Sequence, residues 1–220
     1  MDEILKKYSS LSQLNVSRET FSDFEKFISM IIEKNDEINL ISRDTCKNEI
    51  IRERHIIDSA QVIDFIDLKC NRVTDLGTGG GFPGIIVAIM LKHMKKDIKI
   101  ELYEKSHHKC LFLSKVSGEL NLDTNVIKKD IFKVKELNSG TIIARAFKPL
   151  PIVLELVNEN FNNFENLIIF MGKSGKQKLE ETLRNWELDY ETRKSITNED
   201  SFLINIKNIK KKKLKCKLFL

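Results

Sequence analysis

The stretch Val73-Thr74-Asp75-Leu76-Gly77-Thr78-Gly79-Gly80-Gly81-Phe82-Pro83-Gly84 decides how the rest of this chain is read. Arg72 to Leu76 reads as a short strand that ends in an acid, and a glycine-dense turn follows it. Pro83 suits the first position of a helix, predicted from Pro83 to Met94. Glycines in such a turn reach positive φ and let backbone amides approach a ligand that a Cβ would hold off. In an open parallel sheet, ligands lie beyond the carboxyl ends of the strands where strand order reverses, and the first strand-to-helix turn lies there. The turn reads as a nucleotide cradle.

Working outward, strands are predicted at Ile98 to Tyr103, Asn125 to Lys128, Thr141 to Ala144 and Leu167 to Met171. Helices fall between them, at His107 to Leu120 and from near Pro151 and Lys176. This alternation predicts an α/β fold with a doubly wound, mostly parallel sheet. Two final runs, Asp189 to Ile196 and Ser201 to Ile209, have no helix between them and should close the sheet as an antiparallel pair. Upstream, Phe21, Phe24, Phe27, Ile28, Ile31 and Ile32 form a helical stripe behind a Ser17 cap. A second helix, Asn48 to Phe65, places Ile51, His55, Asp58, Ser59 and Val62 on one face. The expected organisation is a single domain, with an N-terminal helical extension at 1–70, the α/β core at 71–209 and a basic tail at 210–220.

Composition bounds the function. With 220 residues, 41% hydrophobic and 31% charged, only three Pro and nine Gly, the chain can bury a sizeable core and is neither collagen-like nor disordered. Its longest apolar run, Ile85 to Leu91, is far shorter than the roughly 20 residues of a membrane-spanning helix. The N-terminus, Met-Asp-Glu-Ile-Leu-Lys-Lys, has no signal-peptide pattern, so the expectation is a cytoplasmic protein without a membrane partner. Cys46, Cys70, Cys110 and Cys216 lack the close pairing of a zinc site, and no metal is expected. The net charge is +5, but Lys207, Lys210, Lys211, Lys212, Lys213, Lys215 and Lys217 supply +7, leaving −2 for everything else. Such a cluster faces a polyanion or is a solvated terminus.

Two ligand classes compete for the turn. From Gly77 it reads Asp-x-Gly-x-Gly-x-Gly, a pattern for S-adenosylmethionine; from Gly79, Gly79-x-Gly81-x-x-Gly84 fits a dinucleotide. Asp75, which would repel a pyrophosphate, the glycine register, and Pro83, which removes a phosphate-donating amide, favour the first. Glu104, past the second strand, can accept both ribose hydroxyls. Asp130 can receive the adenine amino group while Ile131 packs on the ring. Arg145, in Ala144-Arg145-Ala146-Phe147-Lys148, suits a carboxylate or a phosphate. A nicotinamide-dependent oxidoreductase and a noncatalytic RNA-binding module are the alternative readings.

Four motifs in order carry a closer resemblance: Asn39-Leu40-Ile41-Ser42-Arg43-Asp44, His55-Ile56-Ile57-Asp58-Ser59, Asp75 to Gly84, and Ala144-Arg145-Ala146-Phe147. Over about residues 15 to 209 the chain resembles the glucose-inhibited division protein B family, also called RsmG. These are Rossmann-like class I methyltransferases that modify guanine N7 in small-subunit (16S) ribosomal RNA. The resemblance implies S-adenosylmethionine as cofactor, S-adenosylhomocysteine as product, and ribosomal RNA or the small subunit as partner; nothing in the sequence demands more than a monomer. It implies cofactor contacts at Gly77, Phe82, Asp130, Ile131 and Arg145, with Glu104 at the ribose and Asp75, Gly79 and Gly81 in the same turn. It marks Asn39, Arg43, His55, Asp58 and Ser59 on the cleft-facing helices as RNA-binding candidates, joined by Phe147 and Lys148. After the fifth strand the family has a Lys-Gly pair, whereas this chain has Met171-Gly172-Lys173-Ser174-Gly175-Lys176.

Guanine N7 has an in-plane lone pair and no proton, so the implied reaction needs no general base. Arg145 is expected to position, and Phe147 to stack on an unpaired base. Deleting residues 210–217 should weaken RNA binding and flatten its salt dependence, read by fluorescence anisotropy across a salt series. An unchanged slope would make the tail a bystander.

Overall fold

The computed structural model describes residues 3–12, 14 and 16–212. Among these, seven strands form the central sheet: β1 Arg72–Leu76, β2 Lys99–Glu104, β3 Thr124–Lys128, β4 Thr141–Ala144, β5 Asn166–Met171, β6 Trp186–Lys194 and β7 Phe202–Lys211. Their order is β3-β2-β1-β4-β5-β7-β6. The pairs β1·β2, β1·β4, β2·β3 and β4·β5 are parallel, with Thr74 opposite Glu101 on one side and Ile142 on the other. β7 runs antiparallel to both β5 and β6, so the final hairpin closes the sheet as its sequence implies. Strand order reverses between β1 and β4, beside the glycine turn.

Past a short helix at Glu3–Lys7, the longer helical segments are α1 Arg18–Ile38, α2 (the helical run 48–65), α3 Gly84–His93, α4 His107–Glu119, α5 Leu150–Asn160 and α6 Gly175–Leu183. Side chains alternate along the strands and divide the core in two. Val73, Ile143, Ile168 and Leu203 pack with α1, α3 and α4. Leu76, Ile142, Ala144, Leu167, Ile169 and Ile204 pack with α5 and α6. Burial on both faces is why β4 and β5 read as nearly continuous apolar runs.

α1 starts where the sequence says it should: Ser17 Oγ accepts the Thr20 amide at 3.4 Å. Phe21, Phe24, Phe27, Ile28 and Ile31 are buried, while Ile32 is only partly covered. The Phe27 ring touches Phe82 at 5.4 Å and Phe112 at 6.4 Å, joining α1 to the glycine turn and to α4. Asn39 ends the helix at φ 38°, and Asn35 Oδ1 accepts the Ile41 amide at 2.9 Å, turning the chain back over the sheet.

Three expectations need correction. The run 48–65 is not one regular helix: Asn48–Ile51 is α-helical, Arg52–Ile57 widens into a π-helix, and Gln61–Phe65 tightens into a 3₁₀ turn. Arg145 Nη2 donates to the Arg54 carbonyl at 2.6 Å, and an outside donor on a ladder carbonyl is a recognised cause of such widening. Pro83 precedes α3 instead of opening it, with its carbonyl accepting the Val87 amide at 3.1 Å. The sheet also continues past residue 209. Lys210 pairs with Glu187 at 3.7 Å and Lys211 with Glu155 at 2.7 Å within β7, while Lys213, Lys215 and Lys217 lie outside the described residues. A truncation that tests the tail without cutting β7 therefore begins at Lys213. Among the described residues no helix is long and apolar enough to cross a membrane, and Cys46, Cys70 and Cys110 are free thiols.

α1 is tied to α3 by one carboxylate. Asp23 Oδ2 meets Lys92 Nζ at 2.9 Å and His93 Nε2 at 2.8 Å, while Oδ1 accepts from Lys26 at 3.2 Å. Burial raises the Asp23 pKa, but these donors outweigh it and hold the carboxyl below its usual range. Asp23→Asn should cost about 1–3 kcal/mol at neutral pH, between the values for exposed and buried pairs. Because the folded-state pKa is depressed, that stabilisation is present above about pH 4 and is lost as pH falls through the folded value. Thermal melts of both proteins should therefore converge in acid.

Candidate active site

A cavity of about 420 Å³ opens beyond the carboxyl ends of β1 to β4. Gly77 and Gly79 line it from the turn, Glu104 from β2, Asp130 and Ile131 from the end of β3, and Ala146, Phe147 and Lys148 from the end of β4. Seven residues predicted at the cofactor or at RNA thus converge from four separated segments: Gly77, Gly79, Glu104, Asp130, Ile131, Phe147 and Lys148.

The glycines divide the labour. Gly77 (φ +66°) lies under Phe147, whose Cδ2 would be 2.3 Å from any Cβ. Gly79 (φ +59°) would find only the Gly77 carbonyl, at 3.9 Å, so its bare Cα borders open cavity. Gly81 (φ +101°) faces inward, where a Cβ would strike Ile85 at 2.8 Å, and therefore serves packing. Gly80 presses on the Leu40 carbonyl, which would stand 2.9 Å from a Cβ; the N-terminal extension thus backs the turn directly. Phe82 is 6% exposed, with its ring against Phe27 and 4.9 Å from His55, so the side chain belongs to the core and not to the cavity wall.

Asp75 also faces inward. It is fully buried, and its Oδ2 accepts the Gly84 amide at 2.9 Å, fixing the start of α3 to the end of β1. Burial pushes its pKa up to about 7, against the opposing hydrogen bond from Gly84. Asp75 therefore shapes the turn from behind, and the charge repulsion expected from sequence is not how it acts: it takes the helix-start amide that a pyrophosphate would need. Glu104 stands at the cavity edge, its Oε2 accepting from Gly79 N at 3.1 Å and its Oε1 from Ser106 N at 2.7 Å. These bonds hold the carboxylate across the turn. Asp130 is exposed and accepts the Phe132 amide at 3.2 Å; Ile131 is 3% exposed. Phe132 stacks on Phe147 at 5.9 Å and 23°.

Arg145 points the other way, into α2. Its Nε and Nη2 reach Asp58 Oδ2 at 3.2 and 3.1 Å, its Nη1 meets His55 Nδ1 at 3.2 Å, and its guanidinium lies 5.7 Å from the Phe170 ring centre. A guanidinium only donates, so His55 Nδ1 is an acceptor and the imidazole is neutral with its proton on Nε2. Burial, then the charges of Arg145 and Arg54, push the His55 pKa down to about 4, in keeping with that state. Asp58 Oδ1 accepts from Gln61 at 2.8 Å and from Ser195 and Thr197 at 3.1 Å each. Ser59 is fully buried. His55 and Asp58 thus form a lock joining α2, the end of β4 and the β6–β7 hairpin. Asn39, Arg43 and Lys148 are exposed.

Sequence reasoning missed Ser195 and Thr197, ordinary residues of a hairpin loop. It also missed Lys105, Lys109 and Lys129, which line the cavity. Their signal was present: each follows a strand-end acid or precedes one by a single residue, or stands on the first turn of α4.

Sheet order, glycine turn and strand-end carboxylate define the Rossmann-like fold of S-adenosylmethionine-dependent methyltransferases. A solved methyltransferase of that class from Aquifex aeolicus shares it, with TM-score 0.52, 15% identity, and coverage of 69% of this chain and 89% of that one. Residues 20–203 match the family described as rRNA small subunit methyltransferase G, and the chain belongs to that family. The ribosomal RNA small subunit methyltransferase G of Pelagibacter ubique (strain HTCC1062) is 60% identical over 212 residues, 96% of this chain and 100% of that protein. The Rickettsia felis (strain ATCC VR-1525 / URRWXCal2) protein of the same name is 32% identical over 198 residues, 90% of this chain and 98% of its own length.

Asp75→Asn isolates the turn's buried carboxyl. Since the folded pKa of Asp75 is raised, the wild type loses stability as pH climbs from about 4, the unfolded value, to about 7. Asn keeps an acceptor for Gly84 and carries no charge. Melting temperatures should show the variant gaining on the wild type across that window and no further change above it.

Proposed function

We propose that this protein transfers the methyl group of S-adenosylmethionine to N7 of a guanine in 16S ribosomal RNA and releases S-adenosylhomocysteine. The observation that carries this reading is the cavity at the strand switch point, bordered by the bare Cα of Gly79 and by Glu104. The residues fit the cofactor: Glu104 offers a carboxylate to ribose hydroxyls, Asp130 to an adenine amino group, and buried Ile131 an apolar face to the ring. A dinucleotide fits less well, because Asp75 holds the Gly84 amide and the first turn of α3 is buried.

When bound, S-adenosylmethionine supplies a methyl group on a cationic sulfur, open to displacement by a lone pair. N7 of guanine carries a lone pair and no proton, so the chain would have to orient and shield the base instead of deprotonating it. Phe147, half-buried at the cavity rim, offers an aromatic face to a base. Lys148 and Arg43 offer exposed cations to RNA phosphates and set position without reading sequence. Arg145 positions the Phe147 loop through Asp58 and His55. In this reading the protein works in the cytoplasm as a monomer.

The test is transfer of labelled methyl to small-subunit RNA or particles lacking the modification, followed by nucleoside analysis. Label should appear as 7-methylguanosine; label elsewhere or nowhere overturns the reading. Gly79→Val should abolish both that transfer and S-adenosylhomocysteine binding by calorimetry, since a branched side chain fills the cradle and dislikes the +59° φ.

A further inference from the structure

The segment 146–148 hangs between two fixed points. On one side Arg145 is held by Asp58, His55 and the Arg54 carbonyl. On the other, Leu150 opens α5 and is buried at 3% exposure. Between these anchors Ala146, Lys148 and Pro149 are exposed. Ala146 stands at φ +49°, in the left-handed region that a Cβ disfavours, and such strain collects at parts of a fold that move. Phe147 is half-buried, and its ring lies on Gly77, where its Cδ2 and Cε2 would stand 2.3 and 2.7 Å from any Cβ. The ring borders the cavity of about 420 Å³ and also a neighbouring cavity of about 310 Å³. It stacks on Phe132, an exposed ring 5.9 Å away and 23° from parallel.

Resting on the function proposed above, we infer that Phe147 is a gate on the cofactor cavity, with its ring covering Gly77 when closed and swinging off it, about Ala146, to admit S-adenosylmethionine. Gly77 is where ring and ligand compete. The ring fills the space over its bare Cα, whereas Gly79 in the same turn borders open cavity. Glu104 offers its carboxylate to the ribose, and Asp130 and Ile131 serve the adenine, so the amino-acid end of the cofactor is left the Gly77 side of the turn. The closed position is held by the Phe132 stack and opposed by the strain at Ala146. These two effects are of similar, small size, so both positions are populated. A site that is open for part of the time binds its ligand more weakly by that fraction. Direct displacement also needs nothing between the methyl group and its acceptor, so the open position is the reactive one.

Binding of S-adenosylhomocysteine, read by calorimetry, tests the gate without RNA. Phe147→Ala removes the ring and should tighten binding about three- to tenfold, the ratio that one aromatic stack holds shut. Phe132→Ala removes only an exposed ring, should keep the wild-type melting temperature, and should tighten binding by a smaller factor. Ala146→Gly relieves the strain of the closed position and should weaken binding about two- to fivefold. A ring that serves as a fixed wall against the ligand gives the opposite sign. Weaker or unchanged binding in folded Phe147→Ala and Phe132→Ala proteins therefore overturns the gate alone. A wild-type protein that binds neither S-adenosylmethionine nor S-adenosylhomocysteine overturns the function on which the gate rests.

Discussion

The hydrogen bond from the Gly84 amide to the buried Asp75 carboxyl is the constraint on which the site depends. It closes the loop between β1 and α3, leaving the seven residues between them to adopt one path. Within that path Gly77 and Gly79 take positive φ toward the cavity, and Gly81 takes it toward the core. The bond is costly, since a carboxyl without solvent resists ionisation. A side chain at position 84 would strike both Asp75 Oδ2, at 2.6 Å, and Leu102, at 2.3 Å. The closure therefore requires glycine on one side and a short acid on the other.

Around this closure, two further sets of contacts fix the remaining walls. Glu104 bridges Gly79 and Ser106, so the carboxylate at the end of β2 and the turn after β1 move as one piece. On the other side, Arg145 ties the β4 loop to α2 and, through Asp58, to Ser195 and Thr197. Ala146, the residue after this anchor, is held at φ +49°, an uncommon value for a residue with a Cβ. That turn swings Phe147 back over Gly77. Arg145 thus determines where the aromatic wall stands while its own fork faces away from the cavity.

Much of this was legible from the chain alone. β4 and β5 announce themselves because burial on both faces makes them apolar, and β1 and β4 match their predicted limits. The turn is legible because positive φ and close approach leave few residue types besides glycine. Glu104 and Asp130 followed from their places at strand ends. What was not legible is partnership across long separations. His55, Asp58 and Ser59 share a helical face, but helical spacing cannot say that the face meets Arg145, some ninety residues on, instead of RNA. Phe82 and Gly81 sit in the same turn as Gly79, yet one-dimensional spacing does not tell which residues of a tight turn look outward. The widened π segment was invisible for the same reason, because its cause is a donor from β4.

The Leu40 carbonyl against Gly80, and Phe27 between Phe82 and Phe112, have a consequence for synthesis of the chain on the ribosome. α1 is made before the sheet, and its phenylalanine stripe meets Phe112 only when that residue, 85 positions after Phe27, has been made. At about 5–20 residues per second the stripe stands open for roughly 4–17 s. The glycine turn, made in the interval, has half of its scaffold waiting and half still to come. The cradle can thus take its final shape only when residues on both sides of it in the sequence have been made.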